Sequence, residues 1–196
     1  MTRKLQSLCV YAASSRQLGE HYLEAARALG GELARRQIEI VFGGGSVGLM
    51  GALADAALAE GGRVVGILPR FMHAVEWGHK GLTEMRLVET MHERKHAMID
   101  AADGFIALPG GCGTLEELFE VITWKRLGLH GKPIAMLNVA GFYDACAAQL
   151  ERCIEDGFMN AEHGRMWSVV NRVEELLPAL EAQPEWDASM RDIARP

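Results

Sequence analysis

Two short stretches of this chain carry residue types at spacings suited to chemistry. In "PGGCGTLEE", Pro109 to Glu117, three glycines and a threonine lead directly into two carboxylates. In "TMHERKHAM", Thr90 to Met98, a guanidinium and an ammonium stand side by side at Arg94 and Lys95. A glycine loop that opens a helix presents backbone N–H groups to an anion, because the first turn of a helix has no internal acceptors for them. Glu117 then has two available roles. Thr114-x-x-Glu117 has the spacing of a capping box, which needs no catalysis; alternatively, the carboxylate acts on whatever the loop holds. Thr90 and Glu93 repeat the capping spacing. Arg94 and Lys95 fall in the first turn of the helix that follows, where cations are mildly unfavourable. A solvated basic face is the ordinary reading of that pair.

A second glycine loop, "FGGGSVGLMG" at Phe42 to Gly51, literally contains G-x-G-x-x-G at Gly43, Gly45 and Gly48. A dinucleotide fingerprint belongs on the first strand-to-helix turn and wants an acidic residue ending the next strand. Here the loop follows the second strand, and the next ends Ile67-Leu68-Pro69-Arg70, so NAD is not expected. No G-x-x-x-x-G-K-[ST] supports triphosphate chemistry. The two loops together read as backbone cradles for one small anion such as a monophosphate. His92-Glu93-Arg94-Lys95-His96 matches H-E-x-x-H, but Glu93 fits a cap and no convincing third ligand follows, so no metal is expected. The four cysteines form no CxxC pair.

These loops need a scaffold, and the apolar pattern supplies one. Strand-length apolar runs recur at Leu5–Tyr11, Ile38–Phe42, Val64–Leu68, Met85–Val88, Gly104–Leu108, Pro133–Val139 and Trp167–Val170. Between most of them lie segments of helical period, such as the stripe Tyr22, Leu23, Ala26, Leu29 and Leu33. Continuous rather than alternating apolar strands are buried on both faces. Alternation of such strands with helices predicts an α/β fold: a Rossmann-like, doubly wound parallel sheet in three αβα layers. No repeat or linker divides the chain, so residues 1–183 are read as one domain and 184–196 as a tail. In such a sheet ligands collect beyond the carboxyl ends of the strands, where both glycine loops fall.

A chain of 196 residues with 49% hydrophobic content and net charge −6 has the size for one buried core. It lacks the clustered cations that nucleic acid requires, so no nucleic-acid partner is expected. Nor is a membrane partner, because no apolar run reaches the roughly 18 residues of a spanning helix. The N-terminus lacks a signal-peptide pattern, and the expected location is cytoplasmic.

"GGGSVGLMG" (Gly43 to Gly51), "MHERKHAM" (Met91 to Met98), "PGGCGTLEE" (Pro109 to Glu117) and "EVITWKRLGLHGKP" (Glu120 to Pro133), in this order, resemble the signatures of the LONELY GUY (LOG) family. Its members are cytokinin riboside 5'-monophosphate phosphoribohydrolases, often mislabelled lysine decarboxylases. The resemblance runs from about Leu8 to the last strand. It implies a Rossmann-like fold, usually a homodimer, that cleaves the N-glycosidic bond of an adenosine-type 5'-monophosphate to give free base and ribose 5-phosphate without a cofactor. By motif position, Arg94 and Glu117 correspond to the catalytic pair. Gly44, Gly45, Gly110, Gly111, Gly113 and Thr114 would hold the phosphate. Ser14 and Ser15 would lie near the nucleotide, with Met91 and Lys95 completing the substrate contacts. Ala12-Ala13 stands where the family commonly has a Cys-Gly or similar pair. Two rival readings are a broader nucleoside-monophosphate nucleosidase and a non-catalytic protein resembling the molybdenum cofactor carriers, which share this type of fold.

Overall fold

The computed structural model describes residues 4–75 and 77–186. Seven strands form one parallel sheet: β1 (Ser7–Tyr11), β2 (Glu39–Phe42), β3 (Val64–Pro69), β4 (Glu84–Val88), β5 (Gly104–Ala107), β6 (Ile134–Leu137) and β7 (Ser168–Val170). Their order is β4-β3-β2-β1-β5-β6-β7. The chain therefore winds outward from β1 to one edge, then returns to β5 on the other side of β1. This reversal leaves a crevice beyond the carboxyl ends of β1 and β5, the ordinary ligand site of a doubly wound sheet.

The helices are α1 (Glu20–Arg35), α2 (Gly48–Ala59), a single turn α3 (Arg70–His73), α4 (Met91–Asp100), α5 (Cys112–Arg126), α6 (Asp144–Glu155) and α7 (Val173–Ala182). Because side chains alternate along a strand, β1 feeds two cores. Leu8 and Val10 pack with Leu29 and Leu33 of α1, Leu49 and Leu53 of α2, and Leu176 and Leu180 of α7. Cys9 and Tyr11 pack on the opposite face with Met98 of α4, Leu118 and Val121 of α5, and Leu150 of α6. These are the outer layers of the expected three-layer sandwich. Removing a fully buried leucine side chain such as Leu8, Leu33 or Leu118 from water is worth about 1.5–3 kcal/mol, so both faces of the sheet are firmly covered.

Trp186, three residues past the boundary expected after residue 183, is buried in the second core. Residues 187–196 of the expected tail lie outside the described residues. Among the described residues, no helix is long and apolar enough to cross a membrane.

Candidate active site

The loops after β1, β2 and β5 converge on the crevice. The loop after β2 must pass under the chain at Ala13–Ser15. Gly48 takes φ +66°, and a Cβ there would overlap the carbonyl oxygens of Ala13 and Ser15; Met50 N then donates to Ala13 O at 3.2 Å. The loop after β5 is anchored from the other side, by Ala13 N donating to Pro109 O at 3.3 Å and by the buried Tyr143 hydroxyl donating to Leu108 O at 2.7 Å. The glycine loop after β5 is thus clamped between the segments that follow β1 and β6.

That clamp fixes where α5 begins. Its N-cap is Gly111, which has no side chain to offer, and the first helical residue is Cys112. Leu115 N makes the first i→i−4 bond, to Gly111 O at 3.0 Å, so the amides of Cys112, Gly113 and Thr114 precede the helical ladder and point at the crevice. The capping-box reading of Thr114 and Glu117 is therefore wrong: both lie inside the helix, and neither caps it. The same spacing one helix earlier is a true cap, with Thr90 Oγ1 accepting from Glu93 N at 3.1 Å and Glu93 accepting from Glu89 N at 2.9 Å.

Glu117 lines a cavity of about 310 Å³ together with Ser14, Ser15, Gly111, Gly113, Thr114 and Arg94. Only 12% of its side chain is exposed. Burial pushes its carboxyl up to about 7, with nearby Arg94 pulling in the opposite direction. Arg94 is not on a solvated face, as a first-turn cation would suggest; it is buried. Its Nε donates to Ile67 O at 3.1 Å and its Nη2 to Gly43 O at 3.4 Å, while Nη1 stands 3.6 Å from Glu117 Oε1. A Cβ on Gly43 would overlap the guanidinium. The glycine loop after β2 is glycine-rich at this point to admit an arginine.

Of the residues expected at the site, Arg94, Glu117, Ser14, Ser15, Gly111, Gly113 and Thr114 come together around this cavity. Gly110 lies behind Thr114, whose side chain fills the space a Cβ on Gly110 would take. Gly45 lines an adjoining lobe. The structure does not bring the others in. Gly44 faces Met85 and Gly66, and its carbonyl accepts from His79 N at 2.9 Å. Met91 opens α4 at the surface. Lys95 reaches toward α5, where Glu116 and Glu120 hold its ammonium. Ser46 N donates to Trp77 O at 3.3 Å, so together with the His79 N to Gly44 O bond the glycine loop after β2 is tied to residues 77–79.

The adjoining lobe, about 380 Å³, shares Ser14, Gly43, Met50, Met72 and Arg94 with the first cavity. Of these Met72, together with Leu68, Trp77 and Arg16, adds side chains to the wall beyond the glycine loop. None of these was singled out from the sequence. Arg16, next to the two serines, carried a readable signal; Met72 and Trp77 sit in a connection with no regular pattern.

The crevice therefore defines a class: an α/β protein with a helix N-terminus able to seat an anion, a carboxyl held at high proton affinity beside it, and an apolar lobe adjoining both. Residues 50–180 match the family model described as "Possible lysine decarboxylase". The cytokinin riboside 5'-monophosphate phosphoribohydrolase LOG of Oryza sativa subsp. japonica is 41% identical over 194 residues, covering 95% of this chain and 80% of its own. LOG7 of Arabidopsis thaliana, of the same description, is 42% identical over 185 residues, covering 94% and 85%. The solved structure of the molybdenum cofactor carrier protein from Chlamydomonas reinhardtii superposes with a TM-score of 0.67 at 19% identity, covering 90% of this chain and 96% of its own; that likeness is one of fold. The chain belongs to the LOG family of cytokinin riboside 5'-monophosphate phosphoribohydrolases.

Proposed function

We propose that the protein hydrolyses the N-glycosidic bond of an adenine-type nucleoside 5'-monophosphate, releasing free base and ribose 5-phosphate. The observation that carries this reading is the buried Glu117 carboxyl, 3.6 Å from Arg94, in one cavity with the open amides of α5. The phosphate sits on the Cys112–Thr114 amides, with the hydroxyls of Ser14, Ser15 and Thr114 around it. Seating the phosphate there places the ribose over Glu117 and sends the base toward Met50, Leu68, Met72 and Trp77. That apolar lining suits a base with a hydrocarbon substituent, as in a cytokinin.

Breaking the bond from C1' to the base nitrogen builds positive charge on the ribose ring. A carboxylate beneath C1' stabilises that charge and takes a proton from the attacking water, whose oxygen ends on C1'. The base leaves with the bond's electron pair and takes up a proton from solvent, to which Glu117 afterwards returns the proton it accepted, so that one water is consumed in all. Arg94 keeps Glu117 toward its ionised form and has N–H groups left for the departing base. Phosphate binding, remote from the broken bond, supplies positioning. The carrier reading is weaker: the likeness to a carrier is one of fold at 19% identity, whereas the phosphoribohydrolases match at 41–42%.

The test is incubation with AMP and with N6-isopentenyl-AMP, following free base and ribose 5-phosphate. Both are expected, the prenylated nucleotide being the better substrate by kcat/KM. Because the working form of Glu117 is the anion, kcat/KM should fall as pH drops below about 7, about tenfold per unit. Intact nucleotide after prolonged incubation returns the crevice to a binding role. No lysine decarboxylation is expected, since among the described residues no lysine lines either lobe of the crevice.

We further propose that the protein works as a homodimer in the cytoplasm. Phe119 on α5, Leu127 at its C-cap, Leu129 beyond it and Met91 at the start of α4 remain exposed; a second copy would cover these apolar side chains. Light scattering should give twice the 21.5 kDa chain mass, and a monomer at micromolar concentration would remove the proposal.

A further inference from the structure

Lys95 follows Arg94 on α4, yet its side chain leaves in another direction. Its ammonium bridges two carboxylates of α5: it contacts Glu116 closely and lies 3.0 Å from Glu120. Glu116 precedes Glu117, and Glu120 lies one turn beyond it. Its Glu120 arm is not an ordinary surface bridge, since the Lys95 side chain is only 11% exposed and that of Glu120 only 20%, whereas Glu116 is the exposed arm. By contrast Arg152 of α6 and Asp156 at its C-cap are bridged in the open, where such contacts contribute little.

We propose that Lys95 is a positioning residue for the hydrolysis: by bridging Glu116 and Glu120 it pins the helix bearing Glu117 to the helix bearing Arg94, and it neutralises the two carboxylates flanking Glu117. It acts through Glu117 and does not touch the substrate. The inference rests on the hydrolase reading above and specifies how that site is tuned.

The charges around Glu117 show why a cation is needed at this place. From α4 come Arg94 and Lys95; on α5 itself stand Glu116 and Glu120; from β1 the buried Tyr11 and Cys9 face it. Beyond burial and the opposing pull of Arg94, Glu116 and Glu120 raise the proton affinity of Glu117 and Lys95 lowers it. Burial works against the Lys95 ammonium, but its hydrogen bonds to Glu116 and Glu120 outweigh this and raise its pKa, so it is charged throughout the working range. A lysine has three N–H donors and no preferred plane, which suits one ammonium shared by two carboxylates.

The test is the pH profile of Lys95→Met with a nucleoside monophosphate as substrate. The acid limb of kcat/KM should move up by about one pH unit, with activity largely recovered at pH 9 and KM for the nucleotide there within about twofold of wild type. Lys95→Arg should restore the limb. Glu116→Gln/Glu120→Gln, with Lys95 intact, should move it down, and adding both glutamines to Lys95→Met should bring it back toward the wild-type position. A lysine that binds the phosphate predicts the opposite pattern: KM raised tenfold or more, the limb unmoved, and no rescue by the glutamines. That pattern overturns the proposal. If Lys95→Met does not fold, the Glu116→Gln/Glu120→Gln profile decides alone, an unmoved limb overturning it. If the wild-type chain turns over no nucleotide, the hydrolase reading has failed. The Glu117 carboxyl is then titrated by 13C NMR in wild type and Lys95→Met, where equal midpoints overturn the role of Lys95.

Discussion

Glu117→Ala is expected to leave the chain folded and to lower kcat by about a hundredfold or more, the scale of losing one principal electrostatic or general-base contribution. The rate should be read as base release at pH 8, where most of the wild-type carboxyl, with its midpoint near 7, is ionised. Glu117→Gln should lose as much, because the amide keeps the size and one acceptor oxygen but has neither the charge nor the basicity. KM should change little, since the phosphate seat is made by other atoms. If Glu117→Gln turns over within tenfold of wild type, some other group carries the charge of the transition state.

The same substitution has an opposite consequence for stability. A carboxyl whose folded-state pKa is raised stabilises the fold only while it is protonated. Its favourable contribution is complete below the unfolded value of 4.5 and is lost as pH rises through about 7. The displacement from 4.5 to about 7 corresponds to about 3 kcal/mol, the cost of keeping the anion buried at alkaline pH. Glu117→Gln should therefore unfold at higher urea concentration than wild type at pH 9, the advantage shrinking toward zero as pH falls to 4.5. A residue that costs stability where it works is characteristic of a site shaped by function.

The strands were legible because β1, β2, β3, β5 and β6 are short apolar runs buried on both faces; the edge strands β4 and β7 are partly exposed yet keep enough apolar character to be read, and all seven runs form the sheet. Their ends were not. Leu5 belongs to the core without pairing in the β1 ladder, and Pro133 to Val139 contributes only Ile134–Leu137 as strand. Apolar pattern reports burial, whereas a strand end is set by where the neighbour's carbonyls stop. The order of strands was also out of reach of the pattern, since outward winding from β1 and return at β5 depend on contacts between distant elements.

The site divides along the same line. A local signal identified the cap at Thr90, which depends on atoms three residues apart. The identical signal at Thr114 misled, because α5 starts earlier than its spacing implies, and what fixes that start is distant: Tyr143 on Leu108 O and Ala13 on Pro109 O. Arg94 looked like a surface cation because its acceptors, Ile67 O and Gly43 O, lie 27 and 51 residues away. Its proximity to Glu117 was suggested only by family resemblance, and the cavity they share follows from the β1/β5 reversal.

Arg94→Ala should be the second large loss, about a hundredfold or more in kcat/KM, accompanied by lower stability. Three groups lose their partner together. Ile67 O and Gly43 O are left without their donors, about 1–3 kcal/mol for each one that water cannot reach, and ionised Glu117 keeps its burial without its compensating charge. Because Arg94 holds the Glu117 pKa down, the residual activity should show its acid limb above pH 7. Arg94→Lys should not restore the rate: a single ammonium cannot reproduce a planar group that spans acceptors on β3, the β2 loop and α5 at 3.1, 3.4 and 3.6 Å. Gly43→Ala supplies the independent check. It retains every charge but places a methyl against the guanidinium, so it should shift the limb in the same direction as Arg94→Ala with a smaller loss of rate. In Arg94→Ala/Glu117→Gln the buried anion is gone, so stability at pH 9 should rise above that of Arg94→Ala alone while activity stays at the level of the worse single variant. Additive losses of rate in the double variant would mean that the guanidinium and the carboxylate act on the nucleotide independently rather than as one unit.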